Sequence, residues 1–587
     1  MSNLLVLGVD VRRCTSAAWT SAVVASAFMS SVAVAQSGPP VVDPAPEQRR
    51  QQERERAARE RQEPRVDVQT PVTPVVQTRL LAAEKPCFDI NKISLSGDAA
   101  GSFDWALDAL SGPQNDDSPM GKCLGAQSVN TLLQRAQDAV IARGFVTSRI
   151  LAAPQDLSSG RLDLTVVPGR VLAVRFTPAS SSRGTEYNAV PIKSGDLLNL
   201  RDIEQALENF KRVPTAEVDI QIEPATEADG QSAQPGQSDL VISYQQTLPF
   251  RISLSADDGG SKATGKIQGG LTVSYDNWLT LNDLLYVSVN QDIGGRLPGQ
   301  RGTNSLTMHY SLPFGYWLLS ATASKNRYNQ TVAGFSQSYN YSGKSSNGEI
   351  KLARVIYRDA VRKTTASIRA FQRTSNNSID DTEIEVQRRV VGGYELGLSH
   401  REFIGAGSLD ASLTHKRGTG AFNSAPAPEE AFGEGTSRLR VSAFDVTLNA
   451  PFKISDQRFR YTGSLRGQVN HTALTPQDRF AIGGRYTVRG FDGESSLSAE
   501  RGLVLRNDLS ISLGGSGQEL YVGVDYGKVK GPSSEFLVGK SLSGMVLGAR
   551  GGVKGVQFDV FVGKPLNKPE NFGTYKTAAG FSLNYSF

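Results

Sequence analysis

The feature that most constrains this chain is a residue-by-residue alternation of apolar and polar side chains through its C-terminal part. Residues 271–275 read LTVSY, residues 459–466 read FRYTGSLR, and the last seven residues read FSLNYSF. A period of two is that of a β-strand whose two faces meet different surroundings. About sixteen such segments of roughly ten residues fit between residue 250 and the C-terminus, as in membrane barrels.

The surroundings of these strands are predicted to be a membrane. Beyond residue 35, no stretch approaches the ~20 consecutive apolar residues that a spanning helix requires. A soluble sandwich also alternates, but it rarely holds so many strands in one array. A closed barrel pairs every backbone group, which lipid demands. We therefore predict a transmembrane antiparallel β-barrel over residues 248–587, with Phe587 as a terminal aromatic on its apolar face.

The first 35 residues have the pattern of an export signal. Arg12 and Arg13 precede an apolar or small-residue stretch at 14–34, and residues 33–35 read AVA. This small-x-small sequence predicts cleavage before Gln36. A retained membrane anchor is the alternative, which the many Ala and Ser residues of the stretch disfavour.

Export and cleavage would leave two cysteines, Cys87 and Cys123. Two cysteines in an exported chain most simply form one disulfide. Closing a loop of this length would stabilise the fold by about 3–4 kcal/mol. No histidine lies near either cysteine, which disfavours a zinc site.

Residues 36–64 form a charged segment with two possible interpretations. Between Glu47 and Glu63 the chain consists of Glu, Gln, Arg and Ala, which are strong helix formers, but no apolar stripe runs through it. It is either a solvated, partly disordered stretch or a helix that is polar on all sides and lies in a water-filled lumen. The Pro-rich residues 65–85 would then be an extended tether.

Two α/β modules are predicted between this linker and the barrel. The first, residues 86–168, contains a helix expected to begin at an N-cap Ser128 and to end at Gly144. The second, residues 169–247, contains a helix expected to begin after Asn199. We find no catalytic constellation in either module.

The remaining motifs do not predict an enzyme, a cofactor or a nucleic-acid partner. Residues 260–266 have the spacing of a phosphate loop, but Ile267 replaces the magnesium-binding hydroxyl and a strand follows. The four histidines are scattered and match no metal or nucleophile signature. The 63 Lys and Arg nearly balance the 58 Asp and Glu and are spread along the chain, so charge does not indicate nucleic acid.

One loop of the barrel stands out. Its tip reads Val488-Arg489-Gly490-Phe491, and an Arg-Gly between apolar residues suggests a folded tip. In a later segment, alternation directs Asp525 into the lumen between Gly523 and Gly527, which leaves room for a bidentate guanidinium contact. The residues alone leave two interpretations open: Arg489 binds Asp525, or Arg489 is solvated while Asp525 lines a polar channel.

Several short motifs, in this order, resemble one known family. The chain resembles the outer-membrane transporters of two-partner secretion, the haemolysin and filamentous-haemagglutinin secretion/activation family within the wider barrel-assembly superfamily. The resemblance covers nearly the whole mature chain and rests on Cys87-Phe88, Cys123-Leu124, RGFVTSR at 143–149, VVPG at 166–169, GDLLN at 195–199, EQAL at 204–207, VRGF at 488–491, DYG at 525–527 and the terminal Phe587.

The resemblance implies an architecture. Residues 36–64 become a candidate plug helix, the two modules become POTRA domains, and the barrel gains sixteen strands. Residues 471–502 become a loop that folds into the lumen, where Arg489 pairs with Asp525. The barrel would lie in the outer membrane of a Gram-negative bacterium, in contact with its lipid, with the POTRA domains in the periplasm.

The resemblance also implies a function. The protein would export a large partner exoprotein, such as an adhesin, a haemolysin or a toxin, and would need no cofactor. Phe587 would be recognised by the barrel-assembly machinery. An insertase of the same superfamily is the alternative, although insertases generally carry more POTRA domains than the two predicted here. A diffusion porin comes third, because it would have no use for periplasmic modules.

Overall fold

The computed structural model describes residues 42–63, 66–70, 79–81, 84–226, 234–294 and 301–587. The predicted signal peptide, with its cleavage site, lies outside these residues, as do parts of the predicted charged segment and linker. None of the helices in the described part of the chain is long and apolar enough to cross a bilayer.

The first element is helix α1 (Ala45–Gln62), which forms without an apolar face. It follows Pro44, and ion pairs at helical spacing support it on its surface, Arg50 with Glu47 at 3.3 Å and Arg56 with Glu60 at 3.0 Å. Such pairs stabilise an isolated helix by only a few tenths of a kcal/mol each, about 0.2–0.5. The contacts that hold α1 therefore have to come from elsewhere in the molecule.

Module 1 is a small α/β unit. Leu132, Ala136 and Val140 of its helix pack with Leu162 and Leu164 of the central strand in a buried core. The three-stranded sheet has the order β2-β5-β4, and a separate antiparallel pair joins β1 to β3. The elements are β1 (Phe88–Ile90), β2 (Lys92–Ser96), β3 (Lys122–Leu124), α2 (Ala126–Ala142), β4 (Arg149–Leu151) and β5 (Arg161–Val167).

The predicted N-cap of α2 is wrong. The helix begins at Ala126 after Gly125, so Ser128 lies inside its first turn. Glu84, from the end of the linker, caps the helix instead: its carboxylate accepts from the backbone N–H of Gly125 at 2.7 Å and of Gln127 at 2.9 Å. A carboxylate at a helix N-terminus satisfies free N–H groups and suits the helix dipole.

Module 2 repeats the plan with the sheet order β6-β8-β7. The predicted cap of its main helix is confirmed, because the Asn199 side chain accepts from the Arg201 N–H at 2.8 Å. Ile203, Leu207 and Phe210 from this helix pack on the sheet. The elements are β6 (Arg170–Phe176), α3 (Glu186–Ala189), α4 (Leu200–Lys211), β7 (Ala216–Pro224) and β8 (Gln237–Gln246).

The rest of the chain is the predicted barrel. Sixteen antiparallel strands form one closed sheet, in which β27 pairs with β9. These strands are β9 (Phe250–Asp257), β10 (Gln268–Asp276), β11 (Leu284–Asp292), β12 (Gly302–Phe314), β13 (Trp317–Ala333), β14 (Ser338–Arg358), β15 (Arg362–Ile379), β17 (Arg389–Ile404), β18 (Gly407–Thr419), β19 (Arg440–Ile454), β20 (Gln457–Asn470), β23 (Arg501–Ser512), β24 (Glu519–Lys530), β25 (Ser541–Val553), β26 (Val556–Asn567) and β27 (Ala578–Ser586). The predicted fold class is confirmed.

Three short strands lie in the loops of this barrel. The two-residue strand β16 (Thr382–Glu383) pairs antiparallel with the end of β15. Strand β21 (Phe480–Ile482) pairs with β22 (Leu497–Ala499) inside the connection between β20 and β23. The alternation that predicted the barrel is complete in β24, where every second residue is buried. Its exposed face is apolar along most of the strand and its buried face points into the lumen.

Module 2 is fastened to one end of the barrel, called here the module end. The Asn188 side chain donates to the Pro313 carbonyl at 2.9 Å, and the Gly315 N–H donates back to the Asn188 carbonyl at 2.8 Å. On the neighbouring turn, the Asn282 amide donates to the Thr185 carbonyl at 2.9 Å. The opposite end of the barrel carries the longer loops and is called the far end.

Candidate functional site in the barrel lumen

Two segments occupy the lumen: helix α1 and the loop that connects β20 to β23. Because β20 ends at Asn470 and β23 begins at Arg501, this lumenal loop spans residues 471–500, close to the predicted 471–502. Its strands β21 and β22 form a small hairpin-like ladder of three residue pairs. The tip, residues 488–491, lies between this ladder and the barrel wall.

Arg489 lies at the tip, almost fully buried, in bidentate contact with Asp525. The Nε atom donates to Asp525 Oδ2 at 2.7 Å and Nη2 donates to Oδ1 at 2.7 Å. The backbone N–H of Arg489 also donates to Oδ2, at 2.9 Å. Three hydrogen bonds thus hold one carboxylate, and a planar fork of donors on a charged acceptor is among the strongest polar contacts in proteins.

A second carboxylate, Asp508 on β23, was not predicted. The Nη1 atom of Arg489 donates to Asp508 Oδ2 at 3.3 Å, and Nη2 forms a further bond to Oδ1. Arg550 on β25 reaches the same Asp508 oxygen, Oδ2, at 3.4 Å. The site is therefore a charge network that joins Arg489 of the lumenal loop to Asp508, Asp525 and Arg550 on the adjacent strands β23, β24 and β25. Arg506 on β23 adds a longer contact, 3.9 Å from Asp525. Alternation in β23, with Leu505 and Leu509 outward, indicated an inward Asp508, but nothing local named its partner.

Glycines in the wall make room for the tip. A Cβ atom at Gly523 would lie 2.7 Å from Arg489 Nη2, and one at Gly527 would lie 2.7 Å from a Val488 methyl group. On the next strands, a Cβ at Gly544 would lie 2.0 Å from the Arg489 carbonyl and one at Gly563 would lie 3.0 Å from the Gly490 Cα. The predicted Gly523 and Gly527 are thus half of a set of four that lets two backbones approach closely.

The tip itself requires glycine at one position. Gly490 has φ +94°, in the region that L-residues with side chains rarely adopt, and a Cβ there would lie 2.6 Å from the Lys564 carbonyl. This conformation turns the chain between Arg489 and Phe491. The turn lets Arg489 and Phe491 face different neighbours.

The apolar residues of the motif complete a small core inside the barrel. Val488 and Phe491 are buried, and Phe491 meets Phe572 edge-to-face with ring centroids 5.7 Å apart. The other buried members of this cluster are Phe480, Ile482, Leu497, Ala499, Val504, Val529 and Leu542. The lumenal loop is consequently held by apolar packing as well as by the Arg489 network.

Helix α1 is held in a different way, by polar and charged contacts along its whole length. Toward the far end, Arg49 donates to the Pro476 carbonyl and Arg50 to the Gly493 carbonyl, both at 2.6 Å, so the helix rests on the lumenal loop. Near its middle, the Glu55 carboxylate accepts from the Asn326 side chain at 2.7 Å.

The second half of α1 and its end bind the barrel wall directly. Arg56 pairs with Asp445 at 3.2 Å and Arg59 with Glu349 at 2.7 Å. At the module end, Glu63 lies 3.0 Å from His309 Nε2. Beside the helix lies a cavity of about 580 Å³ with a lining rich in charged side chains. Because α1 has no apolar face, its departure from a polar lumen uncovers little apolar surface.

The first described part of the linker, residues 66–70, lies between α4 and the barrel. The backbone N–H of Val68 donates to Glu208 Oε1 at 3.2 Å and that of Thr70 donates to Glu204 Oε1 at 2.8 Å. From the barrel side, Lys363 and Arg401 pair with Asp67 at 3.2 and 3.1 Å. The segment that follows α1 thus contacts both module 2 and the barrel.

Arg358, at the module end of β14, joins the same three parts. Its guanidinium group pairs with Glu204 at 3.2 Å and Glu208 at 3.0 Å and donates to the Val68 carbonyl at 2.7 Å. Arg358 and both glutamates are buried at this junction. Sequence reasoning singled out EQAL at 204–207 but gave it no role.

The other predicted residues lie away from the lumen. The sulfur atoms of Cys87 and Cys123 are bonded at 1.96 Å, in module 1. Phe587 is largely exposed on the outer surface, and its backbone closes the seam of the barrel: its N–H donates to the Ile252 carbonyl at 3.0 Å and its carbonyl accepts from the Ile252 N–H at 2.9 Å.

A closed sixteen-stranded barrel with two tandem α/β modules at its mouth defines a class of outer-membrane transporter. Sequence profiles support this assignment. A POTRA profile of the ShlB type matches residues 88–169, a second POTRA profile matches 170–224, and the profile of the haemolysin secretion/activation proteins ShlB, FhaC and HecB matches 236–551.

Individual relatives agree with the profiles. The outer-membrane transporter CdiB-2 of Burkholderia pseudomallei is 34% identical over 96% of this chain and 98% of its own. The haemolysin transporter protein HpmB of Proteus mirabilis is 25% identical over 71% and 72%. The structure of CdiB from Acinetobacter baumannii superposes with a TM-score of 0.80 at 31% identity, covering 93% of this chain and all of that one. The chain belongs to the haemolysin secretion/activation family of outer-membrane transporters.

Proposed function

We propose that this transporter carries a large partner exoprotein from the periplasm to the cell surface through the lumen that α1 now fills. The observation that carries the proposal is the contrast between the two lumenal segments. The loop tip is fixed by a buried charge network and an apolar core, whereas the contacts described for α1 are hydrogen bonds and ion pairs. A plug that can leave and a loop that stays suit a channel that opens for cargo.

Capture of the cargo is assigned to the two modules. Each has a three-stranded sheet with two edge strands, β2 and β4 in module 1 and β6 and β7 in module 2. An extended cargo segment can add to such an edge as a further strand, with main-chain hydrogen bonds supplying affinity. The attachment of module 2 to the barrel rim would then present the cargo at the lumen entrance.

The remaining roles follow from position. The Arg489 network keeps the lumenal loop against the wall while the cargo passes. The exposed aromatic ring of Phe587 at the seam is available for recognition by the barrel-assembly machinery during insertion. No catalytic role is proposed for any residue.

The experiment is to hold α1 in place. Glu55 and Asn326, whose side chains meet at 2.7 Å, are replaced by cysteine and joined by a short bifunctional thiol reagent. The native cysteines are already bonded to each other and will not compete. We expect cross-linked transporter to lose secretion of its partner, measured as secreted cargo per folded barrel.

The controls are the two single-cysteine variants treated with the same reagent, which should secrete normally. Secretion at the wild-type rate from fully cross-linked transporter would show that cargo does not need the volume filled by α1, and the proposed path would be wrong.

A further inference from the structure

The outer wall of the barrel carries three pairs of cations at its far end that the export function does not use. In each pair two positively charged residues on neighbouring strands are direct cross-strand partners. The pairs are Arg327 with Lys344 on β13 and β14, Arg417 with Arg440 on β18 and β19, and Arg501 with Lys530 on β23 and β24.

Strand alternation places these pairs on the outer face. Arg417 shares its face with Leu413, which is 54% exposed, and Arg440 shares its face with the exposed Leu448. The residues of opposite parity point inward: Lys416 reaches Asp478 of the lumenal loop and Asp445 binds α1. The same parity holds for Lys530, which follows the exposed Val522, Val524 and Tyr526 on β24.

Like charges directly opposite each other destabilise a sheet. Among the residues that the structure describes, no carboxylate forms an ion pair with any of these six side chains. The neighbours on the other side of three of them are neutral: Asn304 beside Arg327, Asn376 beside Lys344 and Tyr394 beside Arg417. The repulsion within each pair is therefore not relieved by the wall itself.

The module end of the outer wall is built differently. There Arg362 on β15 has Glu402 on β17 as its direct partner, and the two form an ion pair at 3.0 Å. On the outer face, the module end thus sets Arg362 opposite Glu402, whereas the far end sets like charges side by side. This asymmetry points to an anion that is present only in the outer leaflet.

We propose that the three cation pairs bind the phosphate groups of a phosphorylated, acylated glycolipid of the outer leaflet, that is, lipopolysaccharide. A phosphate between two cations removes their repulsion, and arginine matches phosphate in a bidentate geometry. Below the cations, toward the middle of the membrane, the same strands expose apolar side chains such as Leu413, Leu448 and Val522 against which acyl chains pack.

Two of the pairs belong to one continuous patch. Between them, on β20 and just after it, lie Asn470 and His471. Arg501 Nε donates to Asn470 Oδ1 at 2.7 Å, and the His471 N–H donates to the Arg440 carbonyl at 2.8 Å. Strands β18 to β24 therefore present one broad cationic surface, wide enough for the two phosphates of one glycolipid or for neighbouring molecules, while Arg327 and Lys344 form a separate site.

The test compares a four-substitution variant, Arg417→Gln, Arg440→Gln, Arg501→Gln and Lys530→Gln, with wild type and with Arg362→Gln. Each full-length protein is purified in mild detergent, and the lipopolysaccharide that stays bound is measured per mole of folded barrel. Rebinding is then titrated with lipopolysaccharide, with its enzymatically dephosphorylated form, with phosphatidylglycerol and with inorganic phosphate.

We expect the four-substitution variant to bind intact lipopolysaccharide about ten-fold more weakly, since several charge-assisted contacts are lost. Arg362→Gln should bind as wild type does, and dephosphorylated lipid should bind wild type as weakly as it binds the variant. Equal binding by wild type and variant, equal binding of the dephosphorylated lipid, or equal binding of phosphatidylglycerol or inorganic phosphate would each overturn the proposal. Heat-modifiable mobility checks that the variant barrel is folded.

Discussion

At the scale of residues, Arg489, Asp508 and Asp525 share one small buried volume in the lumen, so removing one of them does not cost the same as removing another. Without Arg489, Asp508 and Asp525 lose the cation that they share and keep only longer contacts, with Arg550 at 3.4 Å and Arg506 at 3.9 Å. A poorly compensated buried charge is expensive. Without Asp525, Arg489 still has Asp508. The loss of the arginine should therefore be the more damaging single change.

The first prediction is a double-mutant cycle. Arg489→Ala should strongly reduce export of the partner while heat-modifiable barrel stays at normal amounts, because a contact worth roughly 1–3 kcal/mol orients a loop but does not decide folding. Asp525→Ala should act in the same direction, and the double variant should be little worse than Arg489→Ala, since both remove one interaction. Secreted cargo per transporter is the measurement. Strictly additive losses would mean that the two residues act separately.

The second prediction concerns the glycines that face the tip. Gly544→Ala would place a Cβ 2.0 Å from the Arg489 carbonyl, and backbone cannot yield as a flexible side chain does. The loop tip should leave the wall, so the lumenal loop should be cut by external protease in intact cells and export should fall. Gly348→Ala is the matched control, because a Cβ there meets nothing within 4 Å. An unchanged protease pattern for Gly544→Ala would contradict the close packing.

The third prediction is a pH dependence in module 1, well outside the membrane. Burial acts to raise the pKa of Asp117, but the Leu80 N–H at 2.8 Å, Lys122 at 2.7 Å and Arg135 at 2.6 Å outweigh it and hold this pKa well below its ordinary value. A carboxyl with a depressed folded-state pKa stabilises the module above its unfolded pKa of about 3.9, and this contribution is lost as pH falls toward the folded value.

The measurement is urea unfolding of the protein from Gln36 onward, which lacks Trp19, followed by Trp105 fluorescence with Trp278 and Trp317 replaced by phenylalanine. Wild type should exceed Asp117→Asn in unfolding free energy by a constant amount near neutral pH. Below about pH 4 the difference should shrink by up to ~1.4 kcal/mol per pH unit. A difference that does not change with pH would assign the effect of the substitution to packing instead.

At the scale of elements, α1 shows how composition can leave a structure undecided. Its Glu, Gln and Arg residues favour a solvated segment but also permit a lumenal helix, because they lack the apolar stripe that would indicate burial. The residues that decide, among them Asn326, Glu349 and Asp445, lie on strands nearly 300 residues or more away in sequence. No local pattern connects them to α1.

Our fourth prediction is that deletion of residues 45–62 leaves a folded barrel with a higher single-channel conductance in planar bilayers. The helix contributes no apolar surface to a core, so the barrel does not depend on it. Its ion pairs with Asp445 and Glu349 are partly exposed and hence screened by salt. In the intact protein, therefore, openings should become more frequent as ionic strength rises. Equal conductance with and without α1 would mean that α1 does not block the path of the ions through the barrel.

The capping of the two module helices marks a second limit of sequence reasoning. Asn199 was identified correctly because its side chain acts on the helix that it precedes. Ser128 was not the cap, because Glu84 supplies the carboxylate from 41 residues upstream of Gly125. The same limit applies in the lumen, where alternation indicates an inward Asp508 but cannot show which cation it meets.

At the scale of the whole molecule, the alternation of apolar and polar residues predicted the sixteen strands and the inward face of β24. The order of the motifs along the chain predicted the order of the domains. The junction between module 2, the linker and the barrel could not be predicted. Arg358 sits at a strand end, where a solvated arginine is ordinary. Its importance comes from Glu204, Glu208 and the Val68 carbonyl, which the fold brings to it.

The fifth prediction tests this junction. Arg358→Ala removes the guanidinium group that joins Glu204, Glu208 and the Val68 carbonyl, a loss of charge-assisted contacts that typically costs about 1.5–3 kcal/mol. Glu204 keeps Arg201 at 2.7 Å and Glu208 keeps Lys363 at 3.0 Å. We expect α4 and module 2 to loosen from the barrel, seen as faster amide exchange in α4 and a broader distance distribution between spin labels on the two bodies. The matched control is Arg354→Ala, four residues earlier on β14, where the guanidinium group lies 4.9 Å from the centre of the Trp317 ring. Unchanged distances would mean that the Asn188 and Asn282 contacts suffice.

Residues 66–70 tie the occupancy of the lumen to the occupancy of module 2. Their backbone N–H groups use Glu204 and Glu208, so a ligand that takes these acceptors on α4 also weakens the hold on α1. Thermodynamic linkage makes this coupling symmetric. If bound cargo lowers the affinity of α1 for the lumen by some factor, removal of α1 raises the affinity for cargo by the same factor. Under the proposed function, module 2 and α1 would then act as two binding sites of one switch, which the ligand sets and the membrane does not.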